Sequence, residues 1–134
     1  MNTIVYVGMD VHKESYTLCC YSYDRDKVEF KQTIPSDYRL VLKYMERVRE
    51  QYEGEVKFVC GYEAGCLGYS LYHQLTDHAV DCKILAPTTM AITNTNRVKT
   101  DRRDAGNIAR CLAFHTYSEV YVPDDEDNAV KEYI

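Results

Sequence analysis

Residues 3–35 hold three strand-like segments joined by connections too short for anything but hairpins, which constrains the fold more than any other feature. TIVYVGM, residues 3–9, is an apolar run that ends at Asp10 and suits a buried central strand. A polar turn covers 11–14. SYTLCCYSYD and KVEFKQTI then alternate or run apolar, and Asp24, Arg25 and Asp26 between them supply the second turn. Three consecutive antiparallel strands therefore open the chain.

The pattern then changes from hairpins to strand and helix in alternation. SDYRLVLKYMERVREQY sets Leu40, Val41, Tyr44, Met45, Val48 and Tyr52 on one helical stripe, with Ser36 or Asp37 placed to cap it. EVKFVCGYE reads as a strand ending at Glu63. GCLGYSLYHQL follows as a helix with Leu67, Leu71, Tyr72 and Leu75 inward, and DCKILA is a short strand ended by Pro87. Residues 87–100, rich in Thr and Asn, predict a loop with one helical turn. Thr100 then caps a last helix that carries Asp101 and Asp104 in its first turn. This order describes an α/β domain of RNase H-like arrangement, a mixed five-stranded sheet flanked by helices. The 134 residues suffice for one such core.

Two acids close strands that would be neighbours in such a sheet. Asp10 and Glu63 then emerge at the same end, where open α/β sheets place their ligands. Asp101 and Asp104, three apart, share one face of a helix that docks across that edge. Four carboxylates together suit hard divalent cations, and a pair of ions stabilises both oxygens of a phosphodiester displacement. Each acid alone has a plainer use: Asp10 as a turn residue, Glu63 as a helix N-terminal charge, Asp101 and Asp104 as dipole partners or ion pairs of nearby arginines. The joint placement favours the metal site.

Arg97, Lys99, Arg102, Arg103 and Arg110 form a basic cluster around the last two aspartates, enough for several phosphate contacts; a solvated, salt-bridged face is the alternative. Helical spacing puts Arg103 and Arg110 on one side and turns Arg102 and Arg103 away from the acids. His12 and Lys13 follow Asp10 closely enough to touch a phosphate, though a polar turn accounts for them equally. His73, His78 and His115 lack ligand spacing. The net charge of -5 is all in residues 119–134, so it does not exclude a nucleic-acid partner. Six cysteines without a C-x-x-C pair read as reduced, buried thiols, and the 13 tyrosines as packing more than stacking residues. No run is long and apolar enough to span a bilayer, which points to a soluble intracellular protein. VPDDEDNAVKEYI holds a turn and the start of a helix, as in the front part of a longer chain.

GMDVHKE around Asp10, GYEAGCLGYSLYHQL after Gly61 and, above all, VKTDRRDAGNIAR resemble the N-terminal domain of the DEDD transposases of bacterial insertion sequences, relatives of the Piv and MooV invertases. The likeness runs from Tyr6 to about Pro123, and the family's four acids fall on Asp10, Glu63, Asp101 and Asp104. The resemblance implies a RuvC-like catalytic domain over 1–123, with 124–134 an acidic linker and helix start leading to a C-terminal domain. It also implies a magnesium or manganese site (Mg²⁺ or Mn²⁺, two ions) and strand cleavage and exchange on DNA in the bacterial cytoplasm. A structured guide RNA and a homo-oligomer of the full-length protein belong to the same expectation. So does a serine nucleophile in the C-terminal domain, for which no serine of this chain substitutes.

Three other functions use parts of the same pattern. A RuvC-like Holliday-junction resolvase or other nuclease would use the same acids and metals to activate water, leaving free ends. An actin-like nucleotide-binding domain also opens with a strand, an Asp and a hairpin, but its phosphate loop wants glycine where this chain has Val11, His12 and Lys13. A metal-free interaction module would leave the acids as surface charges.

Overall fold

The computed structural model describes residues 2–65, 68–87 and 103–122. Strands β1 (Asn2–Val11), β2 (Ser15–Ser22) and β3 (Lys27–Pro35) form the antiparallel meander. Helix α1 (Tyr38–Arg49) leads to β4 (Glu55–Glu63), and α2 (Ser70–Asp77) to β5 (Asp81–Leu85). Helix α3 (Ala105–Phe114) ends the series. The sheet order is β3-β2-β1-β4-β5. β1 pairs antiparallel with β2 and parallel with β4, and β4 parallel with β5, so this is the RNase H-like mixed sheet.

The hairpins close locally, with the His12 amide donating to the Ser15 carbonyl at 2.9 Å and Asp26 to Ser22 at 2.8 Å. Parallel neighbours need crossovers, and α1 and α2 supply them on one face. There Val5, Val7 and Met9 of β1 and Phe58, Cys60 and Tyr62 of β4 pack against Val41, Tyr44, Met45, Val48, Leu71 and Leu75. The alternate residues face α3, where Tyr6, Tyr21 and Leu85 meet Ile108, Ala109, Leu112 and Ala113. The chain is thus three layers, held by strands whose two faces both reach a core.

Helix ends follow the capping chemistry, with one shift from the sequence expectation, at α2. Asp37, not Ser36, caps α1, its carboxylate accepting from the Arg39 amide at 2.9 Å. α2 begins at Ser70, later than GCLGYSL suggested; Leu71 and Leu75 are buried and Tyr72 half-buried, while Leu67 lies outside the described residues. In place of a side-chain cap, the Tyr62 hydroxyl accepts from the Tyr72 amide at 3.2 Å. The expected loop at 87–100 lies outside the described residues beyond Pro87.

α3 lies against the sheet through its smallest residues. A Cβ on Gly8 would land inside contact distance of the Ala105 carbonyl oxygen and the Ala109 nitrogen, and one on Gly61 would sit 2.9 Å from Leu112 Cδ2. At the far end the Tyr23 hydroxyl donates to the Ala113 carbonyl. His115, in the left-handed region at φ 58°, stops the helix. The chain then returns beside β5, with Ala86 donating to Ser118 and Val120 to Ile84, each at 2.8 Å.

The described cysteines are free, and Cys19, Cys20, Cys60 and Cys82 are buried, as the sequence predicted. Burial pushes the Cys20 thiol up to about 12, and the Cys60 thiol is raised by its hydrogen bond with Cys82 and by burial. Such thiols stay protonated and inert at neutral pH. Tyr44 donates its hydroxyl to the Phe30 carbonyl at 2.7 Å, a packing role.

The close approach at Gly8 yields a test. Because its neighbours are backbone atoms, Gly8→Ala forces α3 outward and lowers stability by at least about 1–3 kcal/mol, read from urea unfolding midpoints. An unchanged midpoint contradicts this seating of α3.

Candidate acidic site at the carboxyl edge of the sheet

β1 and β4 run side by side in parallel register from Asn2 opposite Glu55 to Met9 opposite Tyr62. The next residues, Asp10 and Glu63, therefore leave adjacent strands at the same level. Side chains alternate along a strand, so Asp10 shares a face with Tyr6 and Gly8, and Glu63 with Val59 and Gly61. That face is the α3 side. Asp10 and Glu63 thus leave neighbouring strands at one end of the sheet.

Asp104 approaches the same region from the helix. It is the N-cap of α3, extended at φ -81° and ψ 175°, and its carboxylate accepts from the Asn107 amide at 2.8 Å. Ala105, the next residue, lies over Gly8. The Asp104 charge also reaches Cys19, the cross-strand neighbour of Gly8, whose thiol is raised mainly by burial, against the pull of Lys31, with Asp104 adding to the rise. Three of the four predicted acids thus belong to one side of the sheet, near its carboxyl edge. Asp101 lies outside the described residues.

Two expectations are corrected. The last helix begins at Ala105 and is capped by Asp104, not by Thr100, so Asp104 is not in a first turn and no helical face shared with Asp101 accounts for its position. An aspartate four residues after Thr100 competes for the same capping role, and local sequence does not rank the two. The second correction concerns Arg103, which turns toward the acids instead of away. Its Nη1 lies 2.8 Å from Glu63 Oε2 and donates to the Ala86 carbonyl at 3.0 Å. Since Arg103 precedes the helix, helical spacing says nothing about its direction, or about a side shared with Arg110.

Electrostatics explain why the arginine is there. The Glu63 side chain is only 4% exposed, and a carboxylate taken that far from water needs a countercharge. Asp10, at 23% side-chain exposure, keeps more contact with solvent; His12 Nε2 lies 3.2 Å from its Oδ1. The sequence did not mark His12 as a partner of Asp10. The end of β4 is pinned by the Ala64 amide donating to the Leu85 carbonyl at 2.8 Å.

Of the predicted phosphate contacts, Lys13 is exposed in the β1–β2 turn and, with His12, Ser36 and Ser70, lines a cleft of about 170 Å³. Arg110 is exposed on α3, near enough to Tyr21 for its charge to be felt there. Tyr21 pairs with Tyr6, about 13 Å along β1 from Asp10. Arg97, Lys99 and Arg102 lie outside the described residues. Among the described residues no three His, Cys, Asp or Glu side chains converge as a metal-ligating group.

A 3-2-1-4-5 sheet with carboxylates closing its two central parallel strands defines the RNase H-like class. Comparison with known proteins gives the family: the IS110-type DEDD transposase model, described as a transposase, matches residues 7–133, and the chain belongs to that family. The transposase for insertion sequence element IS1533 of Leptospira borgpetersenii is 33% identical over 135 residues, covering 100% of this chain and 38% of that protein. The candidate transposase y4qE of Sinorhizobium fredii (strain NBRC 101917 / NGR234) is 28% identical over 130 residues, covering 96% of this chain and 33% of its own length. The chain therefore spans about a third of the length of these relatives.

The Glu63–Arg103 pair should dominate local stability. Arg103→Leu leaves a buried carboxylate without its partner and lowers stability by up to about 3–5 kcal/mol, while Glu63→Gln in the same background recovers much of the loss. Urea unfolding of the four proteins of this cycle reads the coupling; strictly additive effects contradict it.

Proposed function

We propose that this chain is the acidic-site domain of an insertion-sequence transposase and acts on DNA phosphodiesters with divalent metal held by Asp10, Glu63, Asp101 and Asp104. The observation that carries this is the level placement of Asp10 and Glu63 on adjacent parallel strands, on the face that α3 covers. Family membership and similarity to an insertion-sequence transposase support the substrate class.

The donor set fits a hard cation. Asp10, Glu63 and Asp104 offer only carboxylate oxygens, the ligands that Mg²⁺ and Mn²⁺ prefer. Glu63 Oε2 already pairs with the Arg103 guanidinium at 2.8 Å, which is compatible with a cation at this buried oxygen. When bound, such ions polarise the phosphodiester and stabilise the attacking and leaving oxygens. The protein's own part is to hold the acids on strand ends and a helix cap, which fixes their directions. Asp10, more exposed than Glu63, has the His12 ring beside it to orient its carboxylate. Lys13 and the basic residues at 97, 99, 102 and 110 contact the phosphate backbone without reading sequence.

In the whole protein, residues 1–123 form this RuvC-like domain, and 124–134 lead to a C-terminal domain that supplies a serine nucleophile. A structured RNA selects the DNA, and the protein acts as a homo-oligomer in the bacterial cytoplasm. Among the described residues no helix is long and apolar enough to cross a membrane.

Cleavage and joining by the full-length protein test the function. With the RNA of the element's own end and Mg²⁺, the wild type joins DNA ends, through an intermediate covalently attached to protein. Asp10→Asn, Glu63→Gln and Asp104→Asn each lower the rate by at least about a hundredfold, as lost electrostatic stabilisation does in other enzymes. Free DNA ends with no covalent adduct would support the resolvase reaction instead. Full activity in all three variants would end the proposal.

A further inference from the structure

We infer that Arg103 is an exchangeable counter-cation of the acidic site: it occupies Glu63 in the unloaded chain, and a divalent ion gains that carboxylate by displacing it. This rests on the metal-holding role given to the acids above and adds a positioning residue that the acids themselves do not reveal.

Three observations lead there. The first is position: Glu63 has a side chain only 4% exposed, yet Arg103 Nη1 meets its Oε2 at 2.8 Å. One buried oxygen therefore already holds a positive charge at the place where the acids would hold an ion. The second is attachment: Arg103 comes from the residue directly before the α3 cap, so one short segment delivers both the competing cation and the acid Asp104 to this side of the sheet. The third is a waiting partner. Arg103 also donates to the Ala86 carbonyl at 3.0 Å, and Ala86 is itself fixed by the Ser118 carbonyl accepting its amide at 2.8 Å.

Competition follows from charge and geometry. The guanidinium is monovalent but tethered, so its effective concentration at Glu63 is high. A divalent ion held by Glu63 alone gains too little to replace it, whereas one shared with Asp10 and Asp104 gains from every carboxylate. The arginine thereby makes metal loading depend on the acids being assembled, and keeps the lone Glu63 charge neutralised until then. By linkage, the factor by which Arg103 weakens metal binding equals the factor by which metal weakens the hold on Arg103.

Mn²⁺ titration of the 134-residue chain by calorimetry, with Mg²⁺ titration followed by NMR of the arginine side-chain N–H groups, tests the exchange. Arg103→Gln removes the competing charge and keeps a hydrogen-bonding amide, and it should bind Mn²⁺ on the order of 5- to 150-fold more tightly than wild type, the usual span of a coupling between two sites. In the wild-type chain, the Arg103 N–H resonance should lose its protection from exchange as Mg²⁺ saturates the site. If Arg103→Gln fails to fold, the wild-type NMR titration decides alone. Mn²⁺ binding that is lost in Asp10→Asn but unchanged or weakened in Arg103→Gln overturns the exchange and leaves the metal site standing, as does an Arg103 resonance still protected at saturation. No Mn²⁺ binding in the wild type or in Arg103→Gln overturns both the metal site and the exchange.

Discussion

The parallel pairing of β1 with β4 is the constraint on which the rest depends. Strands in parallel register carry their side chains at equal heights, so a single ladder from Asn2 and Glu55 to Met9 and Tyr62 makes Asp10 and Glu63 neighbours. A slip of one residue would turn either acid to the opposite face, into the apolar layer under α1 and α2. Burial of Val5, Val7 and Met9 on one side and Tyr6 on the other forbids that slip. The hydrophobic pattern of the strands thereby fixes where the two acids stand at their ends.

Helix α3 makes the second contribution. Gly8 and Gly61 let it lie directly on the sheet, and the two residues just before it, Arg103 and Asp104, are thereby brought to the side where the strand acids emerge. Asp104 spends part of its capacity capping the helix, accepting from the Asn107 amide. Glu63, far more buried than Asp10, holds the Arg103 guanidinium as its countercharge. The difference in exposure gives the two strand acids different surroundings from the same topology.

Much of this was legible before any coordinates. The apolar run ending at Asp10, the two short turns and the change from hairpins to strand and helix alternation lead directly to the observed sheet, and strand-terminal Asp10 and Glu63 to its edge. The start of α3 was not legible, because Thr100 and Asp104 are both good caps four residues apart and only tertiary seating on Gly8 chooses between them. The direction of Arg103 was misjudged for a related reason. Helical spacing does not govern a residue outside the helix, and the burial of Glu63, which demands a partner, is a property of the packed sheet and not of the sequence around it. Arg97, Lys99, Asp101 and Arg102 fall outside the described residues, so their predicted roles rest on the sequence and the family.

The central claim is that the edge carboxylates form one cation site. Anomalous diffraction from crystals of the chain soaked in Mn²⁺ tests it most directly. The account predicts an anomalous peak between the carboxylates of Asp10 and Glu63, within reach of Asp104, with the Arg103 guanidinium moved off Glu63. A peak elsewhere on the surface, with Arg103 still on Glu63 and nothing at the strand ends, would contradict it.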